Sequence, residues 1–190
     1  MRTDFVEVID DFLTQSYYES LRASVTNSQF PWYFQDNITY VNDKIGGYIN
    51  ENPINNSFGF SHAIYFSSEI KSQVGNLVMP FAFQVKDYLK ASEIIRVRLD
   101  MTVYNPDIRM HGPHVDFDDI PHYSAVYYLN DSDGSTVIFN EKWGQDSLTI
   151  KETIEPKPNR LLLFDGSYLH TGYSPSRHNS RVLINSNYIP

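Results

Sequence analysis

The sequence predicts an α+β fold that is mainly β, a sandwich or barrel preceded by helices. Three observations predict it. Residues 95–104 alternate strictly, with Ile95, Val97, Leu99, Met101 and Val103 on one face and Arg96, Arg98, Asp100, Thr102 and Tyr104 on the other. Further short strand-like runs follow at Tyr123–Leu129, Thr136–Phe139, Ser147–Ile154, Arg160–Phe164 and Arg181–Ile189. The turn signals Asp131-Ser-Asp-Gly134, Pro156-Lys-Pro158 and Ser174-Pro175 separate them, a spacing typical of sandwiches and barrels. The front half, by contrast, carries helical periodicity.

Taken in order, Phe5–Ile9 reads as a short strand, and Leu13, Tyr17, Leu21 and Val25 then recur at helical spacing, with Ser16 and Glu19 able to form a capping box. Residues 27–61 are rich in Asn, Gly, Pro and aromatics, with Gly46-Gly47 and Asn52-Pro53 as turn signals, and read as loops with short strands. Ile70, Val74, Leu77, Phe81, Val85 and Leu89 trace one face of a second helix that Gly75 and Pro80 kink or divide. The chain of 190 residues is thus expected to form a single domain, with residues 1–92 a helical and loop-rich support and residues 93–190 the β core.

Composition excludes several functions. Fifteen basic residues against 23 acidic ones give a net charge of −8, without the cationic footprint that a phosphate backbone needs, so no nucleic-acid partner is expected. With no cysteine there is no disulfide, thiolate metal site or cysteine nucleophile, and any metal must be held by His and carboxylates. The longest mainly apolar run, Leu77–Val85, is too short to span a bilayer, and the first residues carry no signal-peptide pattern; an intracellular, cytoplasmic protein without a membrane partner is the expectation.

Of the six histidines, His111 and His114 stand in Met110-His-Gly-Pro-His-Val-Asp-Phe-Asp-Asp119. On an extended strand His114 and Asp116 leave the same face and can bind one cation together. Two ligands leave the coordination sphere half empty, and a remote histidine would complete the two-His, one-carboxylate set that suits non-haem Fe(II). His170 follows an apolar run and is expected at a strand end near a pocket, whereas His178 sits in a polar loop. Arg181 opens the last strand with Leu183, Asn185 and Asn187 on its face, and its guanidinium could clamp a carboxylate with help from Tyr128. His62 reads as a partly buried structural residue, His111 as lining the entrance, and His122 as facing solvent or the loop above the metal. Asp118 and Asp119 read as solvated lid residues that could attract a cationic substrate, and Arg96 and Arg98 as solvent-facing, with a place flanking a substrate groove as the alternative.

Together these blocks resemble the prolyl-hydroxylase-like Fe(II)/2-oxoglutarate-dependent dioxygenases. Val103-Tyr104 ahead of His114-Val-Asp116, Ala125-Val-Tyr-Tyr-Leu-Asn130 with its acidic glycine turn, Ile154–Phe164, His170 and Arg181 occur in the family's order, from about Arg96 to Tyr188. The resemblance implies a double-stranded β-helix, the jelly-roll, cupin-like core, braced here by N-terminal helices. It implies His114, Asp116 and His170 as iron ligands, Arg181 on the distal carboxylate of 2-oxoglutarate, and hydroxyls from Tyr104, Ser124 and Tyr128 in support. The implied cofactors are Fe(II), 2-oxoglutarate as co-substrate and O2, with ascorbate a further one that such enzymes can take. The implied reaction is hydroxylation of an unactivated C–H bond of a peptide, amino acid or small molecule, a prolyl residue among the candidates, with release of succinate and CO2. Asp116 speaks against the halogenating relatives, which lack that carboxylate. The oligomeric state is not readable from the sequence. Two rival readings use the same residues. One is a zinc hydrolase holding its metal by His111, His114 and Asp116; the other is a non-catalytic jelly-roll binding module with His114 and Asp116 on its surface.

Overall fold

The alternation at residues 95–104 becomes the hub of the architecture. In the computed structural model, which describes residues 2–38, 58–107, 110–145 and 147–190, strand β5 spans Glu93–Val103. The turn signals at Gly46-Gly47 and Asn52-Pro53 lie outside the described residues. In chain order the elements are β1 (Val6–Ile9), α1 (Gln15–Val25), β2 (Tyr33–Gln35), β3 (Gly59–Phe66), β4 (Glu69–Ile70), α2 (Gly75–Leu89) and β5. After them come β6 (Tyr123–Tyr128), β7 (Thr136–Lys142), β8 (Ile150–Ile154), β9 (Arg160–Asp165), β10 (Tyr168–Gly172) and β11 (Ser180–Ile189). The large sheet runs β1-β9-β6-β11-β5-β3-β2, with β4 paired to β3; the small sheet runs β10-β7-β8, and every pairing is antiparallel.

Side-chain parity divides the large sheet between two cores. Val97, Leu99, Tyr123, Ala125, Tyr127, Leu161, Leu163, Val182 and Ile184 pack with Leu21 and Val25 of α1 and Val78, Phe81 and Val85 of α2. The alternate residues Val126, Tyr128, Leu162, Phe164 and Leu183 meet Ile138, Ile154 and Tyr168 of the small sheet. This two-sided burial makes β6 and β9 nearly continuous apolar runs. It also sends the polar face of β5 toward the small sheet, because the apolar face is taken by the helices.

The front half carries more strand than expected. Beyond β1, which matches the strand read at Phe5–Ile9, it adds β2, β3 and β4 to the large sheet, with Gly59–Phe66 paired along β5. The second helix starts at Gly75, with Ile70 left in β4. The Ser16–Glu19 capping box does not form; Thr14 occupies the N-cap and Glu19 instead accepts from Gln15 at 2.8 Å. No helix among the described residues is long and apolar enough to cross a membrane.

Pro80 lies inside α2 without ending it. Beside it the Tyr17 hydroxyl donates to Leu77 O at 2.7 Å and accepts from Phe81 N at 2.9 Å, bridging two groups that would bond each other in an unbroken helix. Tyr17→Phe leaves both without this partner and is expected to cost about 1 to 3 kcal/mol of stability, measurable by urea unfolding.

Candidate functional site

Residues 110–114 lie antiparallel along β10. His111 N donates to Gly172 O at 2.9 Å, and His114 and His170 exchange both backbone hydrogen bonds, at 3.0 and 2.9 Å. That pairing sets the two imidazoles side by side, with ring centroids 4.5 Å apart. His170 lines a pocket as expected, but it stands in the middle of a short strand of its own, β10, and not at a strand end. Asp116, two residues past His114, brings its carboxylate to the same point. One ligand atom from each of His114, Asp116 and His170 lies within 4.8 Å of the others, and among the described residues this is the cluster that could hold a metal ion.

The surroundings prepare all three for a cation. His114 Nδ1 bonds Gly112 O at 3.0 Å and His170 Nδ1 bonds Tyr168 O at 3.3 Å. A carbonyl only accepts, so Nδ1 carries the proton and Nε2 keeps its lone pair. Burial pushes His170 down to about 3, with His114 beside it adding to the effect, and burial lowers His114 against the pull of Asp116. Both rings are therefore neutral and fit to ligate. For Asp116 burial alone would raise the pKa, but the guanidinium of Arg96 leads the positive groups that hold it well below the usual range.

The Asp116 carboxylate is fixed on both oxygens. Arg96 Nη2 donates to Oδ1 at 2.6 Å, and Ser124 Oγ and Asn187 Nδ2 donate to Oδ2 at 2.9 and 2.8 Å. These residues form one row across the large sheet, since Asn187 pairs with Arg96 on one side and Ser124 on the other.

The cluster opens into a cavity of about 380 Å³ between the sheets, with Arg181, Thr136, Thr102, His111 and Asn185 in its wall. Arg181 Nη2 and Tyr128 Oη both donate to Thr136 Oγ1, at 2.5 and 2.7 Å, and the guanidinium lies 5.6 Å from the Tyr128 ring centre. Gly172 leaves room for the guanidinium, since a Cβ there would come within 2.9 Å of Arg181 Nη1. Thr102 Oγ1, His111 Nδ1, Arg181 Nε and Asn185 Oδ1 are buried without a partner, and all four residues line this one cavity. Buried polar atoms left unpaired in this way call for a polar occupant. A small dicarboxylate fits that wall.

Several sequence expectations change. Tyr104 is 52% exposed and lies outside the cavity wall, one residue past the end of β5 at Val103. Ser124 donates its hydroxyl to Asp116 and is not among the residues of the cavity wall. Arg96 and Arg98 line the cavity where solvent exposure was expected; Arg98 pairs with Asp100 at 2.8 Å, which raises its pKa. The signal for Arg96 was its place on the polar face of β5, a face the helices leave to the small sheet. His111 is buried in the cavity wall, its Nε2 3.2 Å from Ser174 Oγ, and is not part of the ligand cluster; Asp116 has a side chain only 2% exposed. His62 is buried between Pro31 O and Ser72 Oγ, as a structural residue would be.

His178 belongs to a different device. Asp133 accepts from His178 Nδ1 at 2.9 Å, Ser176 Oγ at 2.8 Å and the backbone of Ser176 and Arg177, holding the turn that leads to Arg181. Burial alone would raise Asp133, but these bonds, His178 first, hold it far below its ordinary 3.8. A depressed folded pKa means stability that is present above 3.8 and lost as pH falls below it. Asp133→Asn is therefore expected to lower the melting temperature at neutral pH, with the difference from the parent narrowing in acid.

Residues 99–189, just under half of the chain, match the family model described as the 2OG-Fe(II) oxygenase superfamily. No curated protein matches the chain. Among solved structures, a 2OG-Fe(II) oxygenase family oxidoreductase from Burkholderia pseudomallei is 10% identical, with a TM-score of 0.65 over 97% of this chain and 84% of that one. A prolyl hydroxylase from Trichoplax adhaerens, solved with a hypoxia inducible factor peptide, is 13% identical, with a TM-score of 0.64 over 97% and 83%. HygX from Streptomyces hygroscopicus, solved with nickel and 2-oxoglutarate, is 12% identical, with a TM-score of 0.59 over 97% and 82%. The fold is the double-stranded β-helix of these oxidoreductases. The cofactors of the matched superfamily are Fe(II), 2-oxoglutarate and O2.

Proposed function

We propose that the chain is an Fe(II)- and 2-oxoglutarate-dependent dioxygenase that hydroxylates an unactivated C–H bond, with His114, Asp116 and His170 as iron ligands and Arg181 on the distal carboxylate of 2-oxoglutarate. The observation that carries this reading is the convergence of three ligand atoms within 4.8 Å at a cavity whose wall also holds Arg181. When bound, Fe(II) with 2-oxoglutarate and O2 supplies the oxidising chemistry, and succinate and CO2 leave. Arg181, held by Thr136 over Tyr128, offers its unpaired Nε–H to the co-substrate, while Thr102, His111 and Asn185 offer further polar contacts. Val115, Val126 and Leu183 add apolar surface to the wall beside the reacting centre. The catalytic unit in this reading is the whole chain as one domain, with residues 1–92 supporting the core of residues 93–190.

The substrate is a peptide, amino acid or small molecule. A prolyl residue is the finer reading, supported by the likeness to the Trichoplax enzyme.

Anaerobic addition of Fe(II) and 2-oxoglutarate should give a visible charge-transfer band, and in air the protein should release succinate. Arg181→Gln is expected to raise the KM for 2-oxoglutarate about 30-fold or more, the cost of removing a buried charge partner. A band unchanged by Arg181→Gln, or turnover without O2 and 2-oxoglutarate, would refute the reading; the latter would favour the hydrolase.

A further inference from the structure

A second cavity, of about 370 Å³, adjoins the ligand cluster; Phe117, Asp118, Asp119, His122, Trp143 and Asp165 are in its wall. Val115, between two of the ligands in sequence, lines both cavities. Along the sheet, Asp165 pairs with Tyr123, one step beyond the row in which Ser124 pairs with Phe164, and the Phe164 ring packs against His170 at 4.9 Å. Arg181 lies the other way along β11 from Asn187, which belongs to that same row. The two cavities thus flank the cluster.

Their charges are opposite. Arg96, Arg98 and Arg181 line the first; Asp116 and Asp100 in the same wall pair with the first two, and Arg181 supplies the excess positive charge. In the second, the cation Lys142 is engaged by Asp4 at 2.9 Å and by Asp165 at 3.9 Å. Asp165 further accepts from Ser167 N and Oγ and from Asp4 N. Asp118 and Asp119 are exposed and form no ion pair among the described residues. On the inner wall His122 is 2% exposed, and its Nδ1 bonds Ile120 O at 3.0 Å. That carbonyl takes a proton from Nδ1, and Nε2 is buried without a partner. Phe117 stands edge-on to His122 at 5.4 Å, and Trp143 is partly exposed at the rim. The carboxylates of Asp118 and Asp119 thus stand without an ion-pair partner among the described residues, beside an indole face that favours cations.

We propose that this second cavity is the subsite for the primary substrate, and that the group it receives carries a cationic nitrogen, an ammonium or a guanidinium. The inference rests on the oxygenase reading. An anionic co-substrate is drawn to the arginine-lined side and a cationic substrate to the carboxylate-lined side, so each is repelled from the other's place.

The test measures substrate-stimulated succinate release with free lysine and arginine, and with proline-containing peptides bearing Lys or Arg, against glutamate and matched Glu-bearing and neutral peptides. Stimulation should be confined to the cationic members and fall with added salt. Asp118→Asn/Asp119→Asn, two exposed changes whose folding is checked by thermal melting, should raise the KM for those members about tenfold. Asp118→Lys/Asp119→Lys should shift stimulation toward the acidic members. Equal stimulation by neutral or acidic members, or an unchanged KM in the asparagine variant, would overturn the proposal. Absence of the anaerobic charge-transfer band in the unsubstituted protein would sink the oxygenase reading itself, whereas a normal band with no stimulation by any cationic member would sink this inference alone.

Discussion

His170→Ala is expected to remove metal-dependent turnover, with succinate release falling about 100-fold or more, beyond what loss of an outer partner of a ligand costs. The expectation follows from what the ring does in the structure. Its Nδ1 is spent on the Tyr168 carbonyl, and its neutral Nε2 stands 3.9 Å from an Asp116 oxygen, with the tilted His114 ring alongside. No other histidine replaces it: His111 is turned to Ser174, and His122 is held on Ile120. A stability readout separates loss of ligation from loss of fold. A metal that binds only the folded state stabilises it by about 2.7 kcal/mol at a hundredfold excess over Kd. For a domain of this size that is a rise of about 5 to 11 °C in melting temperature. The parent should show this rise with anaerobic Fe(II), and His170→Ala should melt cooperatively yet show none. A variant that kept the rise would place the metal elsewhere. His114→Ala should behave in the same way.

Much of this site was readable in the chain before any coordinates. His114 and Asp116 do converge, although the segment is an isolated bridge followed by a bend and not the strand expected, and the parity of the last strand put Leu183, Asn185 and Asn187 beside Arg181; all of them face the cavity or its ligand cluster. Less readable was anything set by which face of a strand is covered. Alternation in β5 separated Arg96 from Val97, but only the packing of α1 and α2 on the apolar side shows that the polar side looks into the protein. The same limit applied to Tyr104, whose parity was right and whose strand stopped one residue short. The strand holding His170 was hidden because it follows the preceding strand after only Gly166 and Ser167 and carries a register shift between Tyr168 and His170, so the run read as one strand and its end. In the front half, β3 is interrupted in its pairing between Ala63 and Tyr65, which blurred the alternation that would have marked it.

Arg96 offers the sharpest test of how the sheet supports the cluster. Its guanidinium donates to Asp116 Oδ1 and to Asn187 Oδ1, and its face lies 4.9 Å from the centre of the Phe117 ring, so it grips two successive residues as the chain leaves the ligand motif. With Asp116 only 2% exposed, a carboxylate without this partner would be a buried, under-compensated charge. Arg96→Gln can keep one hydrogen bond but not the charge or the stacking. It is expected to weaken Fe(II) or Mn(II) binding about 10- to 100-fold, the usual effect of removing an outer-shell partner. Arg96→Lys restores the charge without the planar fork and should recover only part of that loss. Because Arg96 acts through Asp116, the defect should appear in metal affinity measured by titration of the metal-free protein, and saturating metal should restore much of the turnover. A merely structural role predicts the reverse, a lowered melting temperature with unchanged metal affinity. If Arg96→Gln bound metal as tightly as the parent, the salt bridge would be ornamental and Ser124 with Asn187 would suffice to hold the carboxylate.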